Sequence, residues 1–141
     1  GYGAAICESP SRIAREKLES EYRNCTMKIF ILTGATSGIG LEAAKALAAN
    51  PAHRIIAGVR NPKSANDLRS AVPAGQLQIL DFDAASLESV RRFAAQVSSW
   101  DGLAGNAGIQ TAGELERSAD GHELTFAVNH LANFCLIEEL L

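Results

Sequence analysis

The sequence predicts an α/β fold: a doubly wound parallel sheet. Three observations carry the prediction. Strand-like and helix-like segments alternate from Met27 to the C-terminal end. The first strand-like run, Ile29-Phe30-Ile31-Leu32, is continuously apolar, as a buried strand requires. A glycine-rich turn follows it at once, and a helix-like stretch begins at Leu41.

The first strand is predicted over about Lys28–Thr33. A helix rich in alanine and leucine follows from about Ile39 to Asn50, and Pro51 stops it. The second strand is about Arg54–Val59. Asn61-Pro62 then turns the chain into a helix around Lys63–Ala71, which Pro73 and Gly75 end. The third strand is about Leu77–Phe82. Ser86–Ser98 reads as an amphipathic helix, with Leu87, Val90, Phe93, Ala94 and Val97 at helical spacing. A short fourth strand is about Gly102–Asn106. The last helix, from about Gly121 onward, is apolar on nearly every side, so it expects cover on more than one face.

Residues 27–141 are therefore read as one domain. Residues 1–26 are read as an extension, mobile or loosely docked, with a short helix start at Ser9-Pro10. Met27 has the look of a natural start. No basic stretch followed by an apolar one marks a secretory signal. No run of eighteen apolar residues exists, so no membrane span is expected. The net charge of -3 gives no strong attraction to nucleic acid or anionic membrane. Cys7, Cys25 and Cys135 are odd in number and far apart, and His53, His122 and His130 lack ligand spacing. Neither a disulfide framework nor a metal site is expected, and scattered thiols suit the cytoplasm.

The turn Thr33-Gly34-Ala35-Thr36-Ser37-Gly38-Ile39-Gly40 carries the chemistry. A strand before it and a helix after it can seat a dinucleotide pyrophosphate on backbone N–H groups and the helix dipole. Gly34 permits the tight turn, Gly38 a close approach of the backbone to phosphate, and Gly40 the packing of helix on strand. Thr36 and Ser37 offer hydroxyls to phosphate. In dinucleotide folds an acid at the end of the second strand takes the ribose 2′-OH, while an arginine nearby takes a 2′-phosphate. No acid lies between Glu42 and Asp67, and Arg60 stands at that strand end with Lys63 beyond it. NADP is expected over NAD. A solvated strand-end arginine is the plainer alternative.

The octapeptide resembles the TGxxxGIG motif of the short-chain dehydrogenases/reductases. Three further segments resemble that family in order and spacing: Phe82-Asp83 with Ser89-Val90, Asn106-Ala107-Gly108, and Asp120–Phe134 with Asn129. The resemblance spans residues 27–141 and implies a Rossmann-type sheet in the order 3-2-1-4, truncated after its fourth strand and following helix. It implies that Asp83 accepts a hydrogen bond from the adenine amino group and that Asn106-Ala107-Gly108 covers the nicotinamide-side ribose. It implies that Asn129 holds a water in the catalytic relay. Ile39 comes with the motif as a cofactor contact. The alternatives are structural: a helix-start acid at Asp83, an amide tying strands at Asn106, a buried asparagine stitching helix to sheet at Asn129. Asp81, on the same strand face, is the rival for Asp83. Gly105 stands where many relatives have a polar residue. The motif style is similar to the retinol-dehydrogenase and protochlorophyllide-reductase-like branches.

The family's tyrosine four residues before a lysine has no counterpart here. Tyr2 and Tyr22 are the sole tyrosines, and neither has a lysine four residues on. The expectation is the cofactor-binding half of an NADP-dependent reductase acting on a small carbonyl or alcohol, inactive by itself. An open fourth-strand edge and a partly uncovered last helix would favour homo-oligomers or aggregation. A non-catalytic dinucleotide-binding or redox-sensing protein is the second reading. An S-adenosylmethionine-dependent methyltransferase would want an acid where Arg60 stands.

Overall fold

The computed structural model describes residues 27–141, and the reading of residues 1–26 lies outside them. Four strands, β1 (Lys28–Thr33), β2 (His53–Val59), β3 (Leu77–Asp81) and β4 (Gly102–Ala104), form one parallel sheet in the order β3-β2-β1-β4. Helices α1 (Gly38–Ala48), α2 (Asn66–Ala71) and α3 (Leu87–Ala94) fill the crossovers. The last helical stretch comprises α4 (Leu124–Phe126), a π turn (Ala127–Leu131) and α5 (Ala132–Leu140). This is the doubly wound architecture that the alternation predicts.

Side-chain alternation explains the continuous apolar runs. Leu32, Ile55, Ala57 and Val59 point to one face and pack with Ala44 of α1 and Leu68 of α2. Ile31 and Ile56 point to the other and pack with Val90 and Phe93 of α3 and Leu136 of α5. Successive residues serve opposite cores, so no position in the run can be polar. Phe82 and Phe93 meet edge to face, with centroids 5.1 Å apart at 72°.

The boundaries differ from expectation for local reasons. Helix α1 ends at Ala48 because Asn50 Oδ1 accepts the Ala52 N–H at 2.9 Å, closing a turn that competes with the helix. β2 gains His53, whose ring lies edge-on to Phe30 at 4.8 Å. The helix expected over 63–71 splits into a 3₁₀ turn, Pro62–Ser64, capped by Asn61, and α2. β3 stops at Asp81, α3 stops at Ala94, and β4 is only three residues long. The last helix starts at Leu124 because Gly121 has φ +83 and Glu123 caps the first turn.

Asp101 extends the weak β4 pairing toward the start of β1. Its carboxylate accepts the Ile29 N–H at 2.8 Å and the Lys28 ammonium at 2.9 Å. Those two bonds, the backbone one first, hold its pKa below the ordinary aspartate value. β4 pairs with β1 alone among the described residues. Along the last helical stretch Phe126, Phe134 and Ile137 stand exposed, while Ala132 and Leu136 are buried.

Candidate functional site

The C-terminal ends of the strands meet at one cleft of about 490 Å³. Gly34 arrives from beyond β1, Val59 and Arg60 from β2, Phe82 and Asp83 from β3, and Asn106, Ala107 and Gly108 from β4. In open α/β sheets this edge is where ligands bind. Thr36 and Ser37 line it on the side of α1, and Leu124 and Val128 close it from the last helical stretch. Of the residues singled out by sequence, Gly38, Ile39, Gly40 and Asn129 do not line the cleft. Ile39 points into solvent, 83% exposed.

The glycine turn is tightly built. Gly34 has φ +66, and a β-carbon there would stand 2.8 Å from Ala107 Cα. Gly38 has φ +53 with open space around it, so its backbone can be closely approached. A β-carbon on Gly40 would collide with the Gly34 carbonyl, so α1 begins folded back against the turn itself.

The start of α1 lacks both a side-chain cap and a first-turn acid, a combination that α2, α3 and α4 do not share. Ser86 caps α3 and Glu123 caps α4, each accepting backbone N–H groups from the first turn. Ser37 occupies the cap position of α1 with extended backbone, yet its side chain makes no cap bond. The first turn of α1 holds no acid, whereas α2 and α3 begin with Asp67 and Glu88. A helix start leaves its first N–H groups without intrahelical partners and carries partial positive charge. Here the cap residue Ser37 lines the cleft with its side chain making no cap bond, so the residues present fit a phosphate-bearing ligand.

Arg60 is exposed at the cleft, and none of the ion pairs among the described residues uses it. Asp83 is the sole acid in the lining. Its Oδ1 accepts the Ala85 N–H at 2.9 Å, and its own N–H donates to Ser89 Oγ at 3.0 Å. Asp81 does not line the cleft; it stands exposed, 3.9 Å from Arg92. The strand ends at Asp81, so a period-two argument cannot carry from Asp81 to Asp83.

Asn106 fastens the end of β4 to that of β1: its Nδ2 donates to the carbonyls of Thr33 at 3.3 Å and Gly34 at 3.0 Å. Asn129 is exposed rather than buried, but both its amide atoms are engaged. Its Oδ1 accepts the Ile109 N–H at 2.8 Å and its Nδ2 donates to the Ile109 carbonyl at 2.9 Å. The stitching expected of it therefore runs to a loop, not to the sheet.

Three contributors went unread in the sequence. Thr33 is fully buried, and its Oγ1 accepts the N–H groups of both Asn106 at 3.1 Å and Ala107 at 3.0 Å. Its place at the end of an apolar run was the available signal. Leu124 and Val128 form an apolar wall, which no pattern separates from core. The loop before α4 closes over the start of α3: Asp120 accepts the Leu87 N–H at 2.9 Å, and Ala119 donates to the Ala85 carbonyl at 3.0 Å. Glu123 accepts the Phe126 and Thr125 N–H groups, which hold its carboxyl below the ordinary range.

Among the described residues no cluster of three ligand-type side chains could hold a metal, and no helix is long and apolar enough to cross a membrane. Burial raises the pKa of the half-buried Cys135 thiol, which makes it a poorer nucleophile.

Residues 28–141 match the family model described as short chain dehydrogenase. Over 119 residues the chain is 42% identical to the chloroplastic protochlorophyllide reductase of Chlamydomonas reinhardtii, covering 79% of this chain and 30% of that protein. It is 41% identical over 119 residues to the chloroplastic short-chain dehydrogenase TIC 32 B of Brassica napus, covering 79% of this chain and 37% of that one. The chain spans about a third of the length of these curated relatives. Among solved structures, an NADPH-bound carbonyl reductase from chicken fatty liver superposes with a TM-score of 0.65 at 27% identity, over 82% of this chain and 50% of that one. Fold, cleft and sequence agree: the chain belongs to the short-chain dehydrogenase/reductase family of oxidoreductases.

Proposed function

We propose that the cleft binds NADP(H), and that the whole protein uses it to interconvert a small-molecule carbonyl and an alcohol. The observation that carries this reading is the start of α1, uncapped and free of acid, opening on a cleft bordered by Arg60. In this reading Gly34, Thr36, Ser37, Gly38, Ile39 and Gly40 form the turn that takes the pyrophosphate on backbone N–H groups and hydroxyls. The Arg60 guanidinium takes the 2′-phosphate, where an acid would repel it. Asp83 meets the adenine side, and Asn106, Ala107 and Gly108 the nicotinamide-side ribose. Asn129 keeps the Ile109 backbone in place beside them. When bound, the nicotinamide supplies the hydride chemistry, and the chain supplies position. The carbonyl reductase with the similar fold is described as NADPH-bound, which supports the choice of cofactor.

Because no tyrosine here precedes a lysine by four residues, cofactor binding without turnover is the activity proposed for these residues alone. The same observation favours a second reading, a non-catalytic dinucleotide-binding or redox-sensing protein. Stopped-flow mixing of the full-length protein with NADPH and aldehydes decides between them, since only the reductase oxidises the cofactor.

Fluorescence titration with NADPH and NADH tests the cofactor. The wild type should prefer NADPH, and Arg60→Ala should lose about tenfold in NADPH affinity, roughly one charge-assisted hydrogen bond, with little change for NADH. Equal affinities in the wild type would refute the assignment of Arg60.

A further inference from the structure

We propose that Asn133 is a positioning residue, locking the last helical stretch to the segment 105–109 that forms one wall of the cleft. Its consequence for binding rests on the cofactor reading above, while its geometry stands apart from it.

The segment is gripped at both ends from one helix. At the far end, Asn129 clasps the Ile109 backbone with both amide atoms, at 2.8 and 2.9 Å. Asn129 Oδ1 also lies 3.3 Å from where a β-carbon on Gly108 would stand. At the near end, a β-carbon on Gly105 would collide with Asn133 Oδ1 and stand 3.1 Å from its Cγ. Gly105 is thus the seat of the Asn133 side chain, and a larger residue cannot share that space.

Asn133 also controls the other clasp. Its Nδ2 donates to the Asn129 carbonyl at 3.1 Å. That carbonyl belongs to the π turn, where Ala132 donates to Ala127, five residues back, in place of the usual four. Within this widened turn the Asn133 amide adds a side-chain donor to the Asn129 carbonyl. The buried Ala132 and Leu136 beside it pin the helix against the core that includes Ile31, Val90 and Phe93. The lock therefore runs Gly105, Asn133, Asn129, Ile109, and a break at its first contact should loosen its last.

The test uses the full chain, read by amide hydrogen exchange at Ile109 without ligand and by NADPH fluorescence titration. Asn133→Ala and Gly105→Ala should each speed Ile109 exchange about fivefold, the equivalent of about one net hydrogen bond. Exchange at Ile56, in the core, should change less. The double variant should be no worse than the worse single, because both break one contact. Asn133→Asp keeps the shape and removes the donor, so it should speed exchange as the alanine does even if Gly105→Ala fails to fold. NADPH affinity should fall in the same order. Unchanged Ile109 exchange in Asn133→Asp and Asn133→Ala, or strict additivity of the singles, would overturn the lock. A wild type that binds no NADPH would overturn the cofactor reading alone, with Ile109 exchange still deciding the lock.

Discussion

Thr33→Val removes one oxygen from the point where β1 and β4 deliver the cleft wall. Valine matches threonine in shape, so packing is kept and the hydroxyl alone is lost. Thr33 is wholly buried, and its Oγ1 accepts two backbone N–H groups, those of Asn106 and Ala107. The two are not equally exposed to the loss. The Asn106 N–H also reaches the Ala104 carbonyl at 3.1 Å, while Ala107 has no second acceptor among the described residues. One N–H is therefore left without a protein partner at a half-buried position in the cleft wall. A buried group of this kind costs about 1–3 kcal/mol, and with the weakened Asn106 bond a loss of about 2 kcal/mol is expected.

Against a total stability of about 5–15 kcal/mol, that is a large fraction. Urea denaturation followed by Trp100 fluorescence measures it. With a slope of about 1–3 kcal/mol/M, the midpoint should fall by about 1 M or more at unchanged slope. Thr33→Ser keeps the acceptor and drops only a methyl, so it should recover most of the loss. A valine variant within about 0.5 kcal/mol of the wild type, or a serine variant as damaged as the valine one, would refute the account.

Gly40→Ala should cost about 3 kcal/mol or abolish folding, because its β-carbon would collide with the Gly34 carbonyl; circular dichroism melting reads this. Gly75→Ala is the control: nothing lies within 4 Å of its β-carbon, so the variant should be neutral or gain about 0.5 kcal/mol. Asp101 has a folded pKa below its ordinary 3.8, so its contribution is full above that value and is lost as pH falls through the folded one. Asp101→Asn should accordingly be less stable than the wild type at neutral pH, with the gap closing below about pH 4 in urea titrations. The exposed Phe134 and Ile137, with the open edge of β4, should make the chain self-associate, and sedimentation velocity should show Phe134→Glu reducing it.

What the sequence made legible was whatever depends on period and punctuation. Two-residue alternation between cores forced Ile31, Leu32, Ile55 and Ile56 all to be apolar, so the strands could be read. The glycines after β1 are required by φ and by close approach, and these are visible as residue type. Endpoints were read less well, because they hang on side chains bonding to nearby backbone: Asn50 ends α1, and Glu123 delays α4. Neither residue is unusual enough in type to announce the bond. Asn129 was expected buried because it sits in a helix otherwise apolar on nearly every side, yet it lies in the π turn, exposed, and bonds to Ile109; a widened turn leaves no trace in spacing. Of the two acids weighed at the end of β3, Asp83 lines the cleft and Asp81 lies outside it.

What separates an anion cradle from an ordinary glycine turn is where the stiffening bonds lie. After β1 the turn is held from the sheet side. Thr33 accepts from the end of β4 below it, and Asn106 donates into the carbonyls of Thr33 and Gly34. Neither bond uses the N–H groups at the start of α1. Had Ser37 folded back to cap its own helix, as Ser86 does for α3, the turn would be just as rigid and one of those donors already satisfied. The strand ends thus rigidify the turn without using those donors. In the cofactor reading proposed above, a phosphate would meet groups already held in place, so little conformational entropy would be lost on binding. This arrangement also explains why damage at Thr33 should reach the cleft, through the Asn106 and Ala107 backbone that it holds.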